Sequence, residues 1–354
     1  MALTIDTNLS GKTFYSNTLN EIQISTTSAY VRVQLESCDE EVFTSTYYAV
    51  GGIVLVRHLS SFFETTMEQR GASILVFTLT AADGDGQISI PFSVLYCRDK
   101  IIDVPAESFL SNYFLSTNFN RLTTAQSCEH LSLYIPTTVS GNNISLKTEM
   151  LLRLPDGSVV SHTYNTNRSV GFGVVSISIP ISDVLLNALA AYPDCTLLYF
   201  KLSVGKRSCR FYVMPCPSAV LFTFRNNFGC MESVSFPATT TSVLNTEYSE
   251  AKVDGLLSHY DVRHSRTFEV ETSALVSNQM TWLEQFVTSS KVMIGQGGEG
   301  HRVLIKEYTF EQTNAPGAEN KLSFTWQFAD GRQTQHQLSF HRHIFSDPFN
   351  EMYA

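Results

Sequence analysis

Ser73-Ile74-Leu75-Val76-Phe77-Thr78-Leu79-Thr80 reads closely against Thr196-Leu197-Leu198-Tyr199-Phe200-Lys201-Leu202-Ser203. Internal similarity at a fixed spacing constrains a fold more than any single motif, and the spacing here is roughly 120 residues. Three further matches follow in the same order. Residues 90–97 fall on 209–216, residues 54–60 on 176–182, and residues 31–35 on the strand ending at Leu154. Four ordered matches imply two copies of one module.

Each copy has strands, one short helix and a hairpin. In the first copy Ser61 and Glu64 have capping-box spacing, with Phe62, Phe63 and Met67 as the apolar stripe. In the second, Ser182 is expected to cap Val184, Leu185, Ala188 and Leu189, and Pro193 to end the helix. Asp83-Gly84-Asp85-Gly86, Pro155-Asp156-Gly157 and Gly205-Lys206 carry hairpin-turn chemistry. The remaining short alternating stretches read as β-sandwich. The expected fold is therefore all-β with a few short helices. Its divisions are a module at 1–100, a packed linker at 101–127, a second module at 128–216 and a separate C-terminal β domain at 217–354. The linker, with Pro105, Phe109, Tyr113, Phe114, Phe119 and Arg121, is too apolar for a flexible tether and is expected to pack across both modules.

The C-terminal domain does not continue the repeat. Leu221-Phe222-Thr223-Phe224 alternates, Arg225-Asn226-Asn227-Phe228-Gly229 turns, and Val234-Ser235-Phe236 returns. Thr267-Phe268-Glu269-Val270-Glu271 reads as a half-buried strand. Ser277 or Asn278 caps a helix with Met280, Leu283, Phe286 and Val287 on one face and Trp282 at its edge. Strands at 292–294 and 302–310 flank a Gly-rich loop, and Leu322, Phe324, Trp326 and Phe328 give the clearest alternation, ended by Asp330-Gly331. One helix is thus expected to cover a sheet, with a loose polar tail after His343.

At 354 residues and 39.5 kDa the chain exceeds what one core usually serves. A net charge of −9, without any run of basic residues, opposes direct nucleic-acid recognition. Seven cysteines with no Cys-x-x-Cys pair suit buried reduced thiols in or beside apolar strands better than a disulfide framework. The first residues lack the basic and apolar regions of a signal peptide, and no stretch has the ~18 apolar residues a membrane span needs. A reducing cytoplasm is the expected place of synthesis.

The candidate chemical motifs are weak. Gly295-Gln296-Gly297-Gly298-Glu299-Gly300 lacks the Lys-Ser/Thr ending of a phosphate loop and reads as a β–β connection. Asp83-Gly84-Asp85-Gly86 resembles a calcium loop only at its start, because Val94 stands where an EF-hand needs Glu. Cys128-Glu129-His130 and His341-Arg342-His343 lack a second ligand pair at zinc spacing. No nucleophile motif occurs, and Glu232 and Glu269 read as outward strand residues. No catalytic, cofactor-binding or metal residue is assigned, and the chain is expected not to be an enzyme.

Residues 221–236 resemble a strand–turn–strand motif in tail proteins of phages and prophages infecting Bacteroidetes. The order that follows is similar to that of distal-tail (baseplate) proteins: the 268–271 strand, the Trp282-Leu283 helix, residues 291–294 and Val303-Leu304-Ile305. Phe109-Leu110-Ser111-Asn112-Tyr113-Phe114-Leu115-Ser116 also resembles such proteins. The order of parts departs from theirs, since distal-tail proteins usually begin with their ring-forming domain, whereas here the two repeats come first. The resemblance implies a virion tail component, assembled in the host cytoplasm. It also implies a homo-oligomeric ring joining the tail tube to the receptor-binding apparatus and contacting tube, hub and receptor-binding proteins. The alternative is an adhesin with tandem sandwich domains that binds a glycan or a protein, with Tyr47, Tyr48, Tyr113 or Tyr164 as platforms.

Overall fold

The computed structural model describes residues 3–98, 102–137, 143–215, 220–253, 256–272, 275, 277–295, 300–312 and 320–330. The first repeat runs β1 (Thr4–Ile5), β2 (Thr13–Tyr15), β3 (Glu21–Ser25), β4 (Tyr30–Ser37), β5 (Glu40–Tyr48), β6 (Ile53–Arg57), α1 (Leu59–Arg70), β7 (Ile74–Ala82) and β8 (Gln87–Leu95). Its main sheet has the order β2-β8-β7-β4-β5, and β1-β3-β6 forms a second, smaller sheet. After α2 (Ala106–Asn112) come β9 (Asn120–Thr124), β10 (Cys128–Ile135), β11 (Asn143–Arg153), β12 (Val159–Ser169), β13 (Gly173–Pro180), α3 (Ile181–Ala191), β14 (Thr196–Val204) and β15 (Arg207–Met214). The sheet β9-β15-β14-β11-β12 repeats the first order strand for strand, down to the parallel pairing of β2 with β8 and of β9 with β15. Residues 120–124, inside the stretch read as linker, therefore complete the second sheet.

The turns follow their sequence chemistry. Asp83 N donates to the Gly86 carbonyl across the β7–β8 hairpin, and Gly205 (φ 58°) supplies the positive φ between β14 and β15. The helix starts differ from expectation. α1 begins at Leu59 after a left-handed His58 with no side-chain cap, while the Ser61 hydroxyl donates to the His58 carbonyl within the first turn. α3 begins at Ile181 after Pro180, so Ser182 lies inside the helix and not at its cap. In both cases the strand runs directly into the helix and burial of Leu59 or Ile181 sets the start, overriding the capping preference. α3 ends at Ala191, two residues before Pro193.

The matched aromatics form the cores. Phe77 stacks on Phe92 (6.2 Å between centroids) and Phe200 on Phe211 (4.8 Å). Each fully buried ring contributes about 2–3 kcal/mol. In β6 and β13 the buried residues are Val54 and Val56 against Ile177 and Ile179, which shifts that match by one residue from Ser176. The shift preserves the inward face, because a one-residue slip would turn every side chain over.

The C-terminal sheet contains β16 (Val220–Arg225), β17 (Met231–Phe236), β18 (Ala238–Val253), β19 (Leu256–Thr272), β20 (Val292–Ile294), β21 (His301–Glu311) and β22 (Lys321–Phe328), with α4 (Ser277–Val287) following β19. Its order is β17-β16-β20-β21-β22-β19-β18. Met280, Trp282, Leu283 and Phe286 from α4 share a core with Phe222, Phe324 and Trp326, so the helix covers the sheet as expected. Among the described residues, only 268–271 of β19 pair with β22, whereas β18 and β19 pair with each other over their whole length. Most of this hairpin is a two-stranded arm running past the sheet. His341, Arg342, His343 and the tail lie outside the described residues.

Candidate functional site

The strongest cluster of charge joins the second repeat to the C-terminal sheet. Arg121 of β9 is fully buried, and its Nη2 donates to Glu232 Oε1 of β17 at 2.7 Å and to Ser116 Oγ at 2.8 Å. Its Nε and Nη1 donate to the carbonyls of Asn118 (3.1 Å) and His130 (3.2 Å). The other Glu232 oxygen accepts from Trp282 Nε1 of α4 at 2.7 Å. The guanidinium carbon lies 5.5 Å from the Trp282 ring and 6.0 Å from the Phe211 ring. This is a planar cation held between two aromatics and paired with a carboxylate, an arrangement suited to arginine. Glu232 is thus buried and not outward-facing. Its strand parity, shared with buried Val234 and Phe236, was the available signal.

Glu129 of β10 is buried in the same cluster and accepts a 2.7 Å bond from Thr123 Oγ1, while its Oε2 has no hydrogen-bond partner among the described residues. Burial pushes its carboxyl up to about 7, against the opposing pull of Arg121 and Thr123. Nearby Cys209 is pushed up to about 12 by the same desolvation. Sealed from solvent, these groups cannot meet a substrate. Chemically the cluster is a latch between elements.

The other sequence candidates fall into place individually. Asp83 Oδ1 accepts from the Asp85 and Gly86 amides and Oδ2 from Thr26, so its oxygens serve the hairpin. Of Cys128-Glu129-His130, the middle side chain points into the buried latch while His130 Nδ1 meets Ser178 Oγ. Among the described residues no three His, Cys, Asp or Glu side chains come together as a metal site. Residues 296–299 of the Gly-rich loop are outside the described residues. Cys97, Cys209 and Cys230 are buried, but Cys38 is exposed in the left-handed β4–β5 turn (φ 51°), contrary to the expectation that every cysteine packs in a core. Glu269 is exposed as expected and, with Glu271 and Glu307, borders a shallow depression of about 290 Å³ on the C-terminal sheet.

Of the four tyrosines, Tyr48 is 78% exposed, Tyr113 stacks on Phe109 at 5.3 Å, and Tyr47 packs against the first core. Tyr164 lines a pocket of about 330 Å³ between the second sheet and α3. No helix among the described residues is long and apolar enough to cross a membrane.

No known family model matches the chain, and no curated protein matches it in sequence. Among solved structures it has a weak likeness to the tail of an empty GTA particle. That match has 9% identity and a TM-score of 0.22, over 31% of this chain and 90% of the other. CBD12 from CALX1.2 matches at 8% identity and TM-score 0.19, over 58% of this chain and 79% of that one. The fibronectin(III)-like modules of Clostridium thermocellum CbhA match at 12% identity and TM-score 0.17, over 60% and 94%. Likenesses this weak carry no argument about function.

Proposed function

We propose that the chain is a non-catalytic structural component of a phage tail tip, a distal-tail or baseplate-like protein. In this reading it forms a ring between the tail tube and the receptor-binding apparatus. The observation that carries this is the β18–β19 arm. A two-stranded ribbon is marginal alone in water, and this one exposes Leu244, Tyr248, Leu256 and Leu257. Such an arm gains stability by lying on a neighbouring subunit. Repeated head to tail, that contact closes a ring. The sequence resemblance to distal-tail proteins falls on the sheet that carries this arm, at residues 221–236, 268–271, 291–294 and 303–305. The reading makes the protein a virion component assembled in the host cytoplasm, with itself and other tail proteins as partners. An acidic ring would also let DNA pass without adhering.

Electron microscopy of the purified chain tests this. Closed rings are expected, and a variant with residues 245–264 replaced by a tight turn should remain a folded monomer. Only monomers of the full chain at high concentration and low salt, or rings that survive loss of the arm, would refute the proposal.

A further inference from the structure

The two repeats serve as each other's control. Leu79 of β7 and Leu202 of β14 occupy matched positions. Leu79 pairs across the sheet with Leu35, and Leu202 with Thr148. Leu35 in turn opposes Phe43 of β5, and Thr148 opposes Tyr164 of β12. Burial pairs Val184 of α3 with Phe63 of α1, both facing the core, and the exposed Asp183 with the exposed Phe62 one residue earlier. In the first repeat the Phe43 and Phe62 rings stack with centroids 4.9 Å apart, closing the helix onto the edge of the sheet. The second repeat holds Thr148, Tyr164, Asp183 and Leu202 at these positions, and all four line the 330 Å³ pocket. Exchange of a ring for aspartate leaves the gap open. Two further exchanges, Leu to Thr and Phe to Tyr, make its wall polar.

Other polar groups converge on the same space. Arg168 is held by a 2.9 Å bond from its Nη1 to the Ser178 carbonyl, and Asp183 and Asn187 reach in from the first turns of α3. Thr148 is hydrogen-bonded to the Tyr164 phenol, which also senses the charges of Asp183 and Arg168. One cation and one anion face the same volume, so a charged ligand would meet a like charge. A neutral ligand with several hydroxyls finds both donors and acceptors. The remaining wall, Leu146, Ile179 and Leu202, suits the C–H face of a sugar ring. We propose that this pocket, and not its counterpart in the first repeat, binds a neutral pyranose residue of a glycan. The inference goes beyond the architectural reading and does not depend on ring formation.

Saturation-transfer NMR on the full chain tests it with the methyl glycosides of glucose, galactose, mannose and N-acetylglucosamine. At least one is expected to bind. Asp183→Phe, which restores the ring of Phe62 in the first repeat at an exposed position of α3, should abolish the signal. Asp183→Asn keeps the fold and should weaken binding about tenfold by loss of one charged acceptor. The proposal is overturned if none of the four glycosides binds, if binding survives in both variants, or if inorganic phosphate occupies the site in their place.

Discussion

Glu129 sits in an environment that opposes what a carboxylate prefers. Its carboxyl is buried and held up to about 7, so between about 4.5 and 7 the folded chain keeps a proton that the unfolded chain has released. The neutral form is the stable one inside. Its contribution to stability is therefore complete below about pH 4.5, is lost as pH rises, and levels off above 7. Glu129→Gln keeps the acceptor for Thr123 without the charge. Chemical denaturation should find the variant equal to the parent at pH 4 and more stable by about 3 kcal/mol at pH 8, with the difference growing between those limits. An equal offset at both pH values would mean that the carboxyl does not titrate there. Arg121 and Glu232 behave oppositely, since each is the other's compensation. Arg121→Met should cost about 3–5 kcal/mol, and adding Glu232→Gln should recover part of it in a double-mutant cycle. The cysteines divide by the same logic. A thiol reagent on the native chain should label Cys38 well before Cys209 or Cys230, whose thiols burial pushes up to about 12 and about 11. Mass spectrometry of the labelled peptides reads the order.

At the scale of elements, legibility in the sequence followed burial. Leu322, Phe324, Trp326 and Phe328 alternate because one face of β22 fills a core, and all four are buried. The two repeats were visible because matched cores demand matched apolar residues. The β18–β19 arm was read only at residues 267–271, near its junction with the sheet. Beyond that point no core selects one face, and Thr, Ser, Asn and Glu leave no clear period. Helix starts were misread for a related reason: a buried first residue outweighed the local capping signal. The Arg121–Glu232 latch joins residues 111 apart in sequence, so no local pattern marks it. Tyr164 stands out in the sequence for its ring, yet its pocket depends on Asp183, whose significance shows only beside Phe62. The arm carries its own prediction. In dilute monomer the amides of its outer half, which among the described residues have neither a third strand nor a core, should exchange with solvent rapidly and should become protected on assembly. Hydrogen-exchange mass spectrometry at two concentrations measures this.

At the scale of the whole molecule, the question is why two repeats and a third sheet should behave as one body. The answer lies in a fourth cluster belonging to none of them alone. Tyr15, Leu95 and Cys97 from the first repeat meet Ala106, Phe109, Leu110 and Leu115 from the connecting segment, and Phe228 and Cys230 from the β16–β17 turn. Phe228 stacks on Phe109 at 5.0 Å. Asn226 fixes the turn by accepting from the Phe228 and Cys230 amides and donating to the Leu115 carbonyl. Gly229, at φ 74°, lets the chain close there, where a Cβ would stand 3.1 Å from Arg225 Nη2 and 3.3 Å from Ser73 Oγ. Because the cluster joins the first repeat, the connecting segment and the C-terminal sheet, with Tyr134 and Val174 of the second repeat packed against it, its loss should cost cooperativity as well as stability. Phe228→Ala removes a fully buried ring, worth about 3–5 kcal/mol, without touching the three main cores. Calorimetry should therefore show one unfolding transition for the parent and two for the variant, because each main core stays intact while the contact that makes them melt together is gone. A single transition merely displaced to lower temperature would place the coupling elsewhere, in the Arg121–Glu232 latch and the bonds of Ser233 and Ser235 to the Cys128 and Leu122 carbonyls that also join the second repeat to the C-terminal sheet.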